Sequence, residues 1–322
     1  MNCDSVFFAL LRAALWGGEA VLPCSLSADE WGLLYDTAVR QSVHGLMFDA
    51  VRGLPPGTGL SGQTVARWLV ETERIEHDFA RISKLVSSMT EFWQRNGVRA
   101  VLLKGTEVAA FYNTPSHRVI GDIDWWFPEE DGMEKACRLI RDKGLAITAD
   151  SDGGCWYVMG DIVVEHHRRG LTSDDEIGRM LLINRHILHH AMVSGIGMRH
   201  LCDMAMAYRH YAGRYDSKAY RTALADDGLL KWTDLLNAVL VHFLGMPSGL
   251  LPTGMSCPDT VSKDEVRLVD MIMADGNFGL DKKNRYDGLM ERAVFFLKYA
   301  PRRFTLRWLR LVAGRARKNR LK

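Results

Sequence analysis

The chain of 322 residues holds only six cysteines, Cys3, Cys24, Cys137, Cys155, Cys202 and Cys257, and nowhere two of them as C-x-x-C. Zinc-finger spacing is therefore absent, and a chain of this length can bury a core without disulfide staples. The plainest reading is a reduced, cytoplasmic protein. Long apolar runs are missing too. No stretch approaches the ~20 residues that cross a bilayer, so no transmembrane segment is expected. The opening MNCDSVFFALLRAALW sets Asp4 and Arg12 around a short apolar run with no basic stretch before it, which makes a poor secretory signal. Nothing repeats at a fixed period, which sets aside solenoids and propellers.

What is present is ordinary globular material: 47% hydrophobic and 25% charged residues, enough for one or two domains. The net charge of +2 conceals an asymmetry. Residues 301–322 carry nine Lys or Arg and no acid, leaving the first 300 at −7. Basicity thus belongs to a tail. In that tail Phe304, Trp308, Leu311 and Val312 make a rough apolar stripe among arginines. A membrane-surface helix or a nucleic-acid contact is one reading. A last helix packed on one side, with a frayed basic end, is the preferred one.

The hydrophobic period divides the chain into three regions. Residues 1–97 read as helical. Ser27-Ala-Asp-Glu30 is a capping-box pattern, and residues 64–96 repeat apolar side chains from Val65 to Trp93 at three- and four-residue intervals, with Gly97 placed as a C-terminal cap. Residues 98–171 change period. They predict a strand at 98–103, a short helix at 106–112, a strand at 120–127 and a helix at 130–143 stopped by Gly144. Two strands follow, at 156–159 and 162–167, joined at Gly160-Asp161 as a hairpin. Residues 172–322 return to helical spacing at 174–193, 200–211, 217–244 and 264–274. The expected class is α+β, a small mixed sheet embedded in a largely helical protein.

The chemistry concentrates in the middle region. Asp122 and Asp124 are two apart on a predicted strand, so both side chains share one face while Ile123 and Trp125 turn to the other. Two carboxylates held together repel unless a cation lies between them, and magnesium takes such hard oxygen ligands. Glu165, on a later strand after Ile162, Val163 and Val164, can come alongside. Three carboxylates on adjacent strands are what two-metal phosphoryl transfer requires. Upstream, Lys104-Gly105-Thr106 lies between strand and helix. A glycine there lets phosphate approach the backbone, the helix start supplies N–H donors, and Lys104 adds a charge.

These residues, in the order LLKG, YNTPSHRVIGDID, VVEHH and SGIGMRHLCD, resemble the uncharacterised bacterial nucleotidyltransferases of the DNA polymerase β superfamily. The resemblance runs from about Val98 to Tyr211. It implies a small polymerase-β-like sheet and transfer of a nucleoside monophosphate from an NTP to an acceptor hydroxyl, with release of pyrophosphate. Asp122, Asp124 and Glu165 would be the catalytic carboxylates and ligands of two Mg2+ ions. Lys104, Gly105, Thr106 and Arg118 would bind the nucleotide. The partners would be NTP and an unidentified acceptor, with nucleic acid not favoured because the body of the chain is acidic. Two features depart from the superfamily pattern: its Gly-Ser is Gly-Thr here, and fifteen residues separate Thr106 from Asp122. A catalytically silent nucleotide-binding or regulatory protein on the same fold is the alternative.

Other residues carry paired readings. Arg118, four before Asp122, either reaches the triphosphate or fixes the loop. His167 shares the face of Glu165, where a hydrogen-bonded structural role is preferred. His186, His189 and His190 read as packing or surface histidines. Arg199 and Asp203 either line a nucleotide pocket or form an intrahelical pair. Trp125 reads as core.

Overall fold

A computed structural model describes residues 2–150, 153–168, 170–193, 195–277, 289–303 and 305. Phe304 and residues 306–322, which hold most of the basic tail and its apolar stripe, lie outside the described residues. The architecture is α+β, as the sequence predicts: the described residues are largely helical and include a five-stranded mixed sheet. The chain forms two units, residues 1–183 and 184–322.

In the first unit, helices α1 (Asn2–Trp16), α2 (Ala28–Arg40) and α3 (His44–Val51) precede the 34-residue α4 (Gly62–Arg95). The capping box at α2 forms: Glu30 N donates to Ser27 Oγ, and Ser27 N donates back to Glu30 Oε2 at 2.8 Å. The first half of α4 buries Trp68, Thr72 and Ile75. Trp68 meets Tyr35 edge-on and donates its indole N–H to His44 O at 2.7 Å. Gly97, at φ +59°, ends α4, and Val98 N closes the cap on Trp93 O at 2.9 Å. That cap shortens the strand expected over 98–103 to β1 (Val101–Leu102).

Then come α5 (Thr106–Ala109), a 3-10 turn at Pro115–His117, β2 (Asp122–Trp126), α6 (Gly132–Asp142), β3 (Thr148–Ala149), β4 (Cys155–Met159) and β5 (Ile162–His167). The sheet order is β1-β2-β5-β4-β3. Only β2 and β5 are parallel, and β4 and β5 form the expected hairpin. One face of the sheet is apolar. Ile123, Trp125, Tyr157, Ile162 and Val164 pack there against Ile82, Met89 and Trp93 of α4 and Ala136 and Ile140 of α6. This burial seats Trp125 in the core and obliges the alternate residues of β2 and β5 to face the other way.

Helix α7 (Glu176–Val193) leads into the second unit, with α8 (Met198–Tyr211), α9 (Ser217–Asp226), α10 (Leu230–His242), α11 (Lys263–Asp275) and α12 (Leu289–Tyr299). The helical stretch expected over 217–244 is two helices. Gly228 takes φ +69° and Leu229 N turns back to Leu224 O at 2.8 Å, a left-handed cap that stops α9. Apolar spacing continues across this break, so periodicity alone does not reveal it.

Candidate active site

The parallel pairing of β2 with β5 places Asp124 opposite Glu165, Asp122 opposite Val163 and Trp126 opposite His167. Asp122, Asp124, Glu165 and His167 therefore share the sheet face that the core leaves uncovered. His167 Nε2 lies 2.6 Å from Asp124 Oδ1 and 3.4 Å from Glu165 Oε2. Lys104, from the loop after β1, brings its Nζ to 3.1 Å from Asp124 Oδ1 and 3.8 Å from Asp122 Oδ2. The hairpin continues the same face: Trp156 pairs with Glu165 and Val158 with Val163, and both remain exposed.

Burial is the largest influence on Asp124 and by itself would raise its pKa. Lys104 and the hydrogen bond from His167 overcome it and hold the carboxyl down at about 2. Glu165 behaves oppositely. Burial, then the charges of Asp124 and Asp122, push its pKa above the ordinary carboxylate value. Lys104 and His167 are both raised because the acids outweigh the desolvation that would lower them. One face thus holds an aspartate whose pKa is held down beside a glutamate whose pKa is pushed up, the division of labour that acid–base chemistry uses.

The Lys104-Gly105-Thr106 loop is held by the strand it crosses. Leu103 N donates to Asp124 O at 3.0 Å. Gly105 sits at φ +78°, and a Cβ there would lie 3.4 Å from Asp122 O. A positive φ with a strand carbonyl this near favours glycine. Arg118, buried, donates from Nη1 to Gly105 O at 3.3 Å, so it braces the loop. Just before it, His117 is clamped between Asp49 Oδ2 at 3.0 Å and Glu76 Oε1 at 2.8 Å. This tethers the Pro115–His117 turn to α3 and α4. On the other side Arg179 of α7 pairs with Glu107 and donates to Leu102 O at 3.1 Å. Burial outweighs that pairing and pushes the Glu107 carboxyl up to about 7.

The structure therefore brings Asp122, Asp124, Glu165 and Lys104 together, and sets Gly105, Thr106 and Arg118 in and under the adjoining loop. His167 is in the cluster itself, hydrogen-bonded to Asp124. Glu107, Arg179 and Trp156 escape sequence reasoning. Only Trp156 leaves a signal, because hairpin alternation from Glu165 places it on the acidic face. In the second unit His186 and His190 pack edge-on with ring centroids 4.3 Å apart, and His186 stacks on His200 at 5.6 Å. Arg199 and Asp203 are both buried on α8.

Residues 27–182 match a family described as uncharacterised nucleotidyltransferases. Over this segment the chain is similar to that family. The segment contains the whole acidic face and its bracing loop. No curated protein and no solved structure matches the chain. No helix among the described residues is long and apolar enough to cross a membrane.

The residues of this face fit a divalent metal. Asp124 Oδ2 is buried without a hydrogen-bond partner while its carboxyl is held ionised. Asp124, Glu165 and His167 each offer a ligand atom, all within 4.8 Å of one another. An orphaned anionic oxygen in such a group is costly by itself and is satisfied by a hard cation. Lys104 Nζ supplies positive charge to the same carboxylates.

Proposed function

We propose that this face transfers a nucleoside monophosphate from an NTP to an acceptor hydroxyl, with release of pyrophosphate, as in polymerase-β-type nucleotidyltransferases. The observation that carries the reading is the side-by-side register of Asp124 and Glu165 on parallel strands, with Asp122 on the same face. Asp122, Asp124 and Glu165 would hold Mg2+, two ions in the full two-metal form, with His167 orienting Asp124. Bound magnesium supplies neutralisation of phosphate charge and a lowered pKa for the attacking hydroxyl.

The chain's own residues do the rest. Glu165 would accept the proton of the acceptor hydroxyl. Asp124 remains ionised throughout. Lys104 balances the aspartates before nucleotide arrives and then offers its ammonium to the triphosphate. Gly105 and Thr106 lie against the phosphates, and Arg118 keeps that loop in register with β2. Trp156 offers an aromatic surface to a planar ring of the nucleotide or acceptor. The reading places the protein in the cytoplasm, where NTP and magnesium are abundant, with a small-molecule or macromolecular hydroxyl as acceptor.

The test is magnesium-dependent pyrophosphate release from the four NTPs, wild type against Asp122→Asn. Release that the variant loses supports the reading. Nucleotide binding with no release in either protein would assign the chain to silent binders on the same fold.

A further inference from the structure

Behind the acidic face, in the core side of the same sheet, three soft ligands converge. Cys137 of α6 and Cys155 of β4 place their sulfurs 3.1 Å apart, and Cys137 Sγ lies 3.7 Å from His166 Nδ1. All three ligand atoms are within 4.8 Å of one another. We propose that Cys137, Cys155 and His166 form a second metal site, for Zn2+, distinct from the magnesium face.

The spacing points there. In a tetrahedral zinc site with Zn–S about 2.3 Å and Zn–N about 2.0 Å, sulfurs stand about 3.8 Å apart and sulfur and nitrogen about 3.5 Å. The observed 3.7 Å from Cys137 to His166 is already near the second value, and the sulfurs need to part by about 0.7 Å to reach the first. A disulfide needs them about 1 Å closer and has no use for an imidazole nitrogen aimed at one of them. The imidazole is also oriented as metal-ligating histidines are. Its Nε2 is engaged by Tyr157 Oη at 3.2 Å, which turns Nδ1 to the sulfurs. Phe127, Trp93 and Tyr157 pack edge-on around the ring and fix it.

Charge selects the ion. Two thiolates and Zn2+ sum to zero, whereas a monovalent copper would leave a net negative charge among apolar residues. Three protein donors leave the fourth position to a water or small anion. Cys137, Cys155 and His166 are all buried, at 6%, 7% and 1% exposure. The site ties α6 to the hairpin, and through His166 it fixes β5 between Glu165 and His167.

The full chain is purified under reducing conditions with zinc present, desalted and assayed for metal. About one zinc per chain is expected. Replacement by Co2+ should give the charge-transfer absorption of a thiolate–cobalt bond, a signal the carboxylates and His167 cannot produce. Asp124→Asn should keep both, so this result stands or falls apart from the transferase reading. Cys137→Ser and His166→Gln should lose the zinc, and Tyr157→Phe should weaken it by about tenfold. Wild-type protein lacking the cobalt–thiolate band would overturn the proposal, as would zinc retained by a Cys137→Ser, Cys155→Ser double variant. So would a mass lower by two hydrogens with both cysteines blocked to alkylation, the mark of a disulfide.

Discussion

Lys104 Nζ stands 3.1 Å from an Asp124 carboxylate that has no exposure to solvent, so the cluster carries an internal cation of its own. The lysine offsets a charge that β2 forces into the face. Removing it should leave Asp124 ionised and short of compensation. Lys104→Met is expected to lower the stability of metal-free protein by about 3 kcal/mol, with a large part restored by magnesium. Urea denaturation with and without magnesium checks this. Equal losses in both conditions would show that cation and lysine do not serve the same carboxylates.

The two aspartates should separate in their effects. Asp122 keeps 31% of its side-chain exposure and lies 3.8 Å from Lys104, whereas Asp124 is fully buried and bonded to both Lys104 and His167. Asp122→Asn should lower nucleotidyl transfer by two to three orders of magnitude or more, as on losing a group that stabilises transition-state charge, roughly 3–4 kcal/mol. Its metal-free melting should hardly move. Asp124→Asn should lose transfer and also melt earlier, because Lys104 and His167 lose their common partner. Thermal melts beside a pyrophosphate assay decide. Similar melting of the two variants would remove the distinction.

Much of this face is legible in the sequence because strand alternation is a strict rule. Once Ile123 and Trp125 are assigned to a core, Asp122 and Asp124 must face the other way, and the apolar run before Glu165 gives it a strand of its own. The glycine at 105 is readable as a backbone requirement. What escapes depends on partners distant in sequence. Arg179 reaches Glu107 over 72 residues, and His117 meets Asp49 and Glu76 on two different helices. Cys137 and Cys155 share no short motif and meet only when α6 packs on the hairpin. The break at Gly228 is hidden for another reason: apolar spacing runs on through it, and only the left-handed backbone records the stop.

Trp156 should matter for binding and not for folding. The residue is 38% exposed although it neighbours Glu165 across the hairpin. If it stacks on a nucleotide or acceptor ring, Trp156→Ala should raise the KM of one of them by about tenfold or more, the scale of base–aromatic stacking. kcat should change little and Tm by no more than a degree or two. Trp156→Phe should recover most of the affinity. Steady-state kinetics on both substrates would test it, and unchanged KM values for both would remove Trp156 from the site.

Two buried histidines give the first unit opposite pH dependences. His44 is buried 3.9 Å from Glu71, and burial pulls its pKa from 6.5 to about 4. A histidine depressed on folding protonates more readily in the unfolded chain. Its stabilisation is present above pH 6.5 and is lost as pH falls towards 4, at up to about 1.4 kcal/mol per pH unit. His117 is the reverse. Burial opposes its charge, but hydrogen bonds to Asp49 and Glu76 prevail and raise its pKa above 6.5. Its contribution is complete below pH 6.5 and is lost as pH rises through the folded value. His44→Gln should therefore flatten the fall in stability between pH 6.5 and 5, where most carboxylates are still ionised, by about 2 kcal/mol over the interval. His117→Gln should leave that limb alone and lower stability below pH 6.5 while converging on wild type at higher pH. Chemical denaturation of the full chain at half-unit steps from pH 5 to 9, reading the first unit by tryptophan fluorescence, separates the two. An acid limb unchanged in His44→Gln would mean that His44 is charged in the folded protein and paired with Glu71.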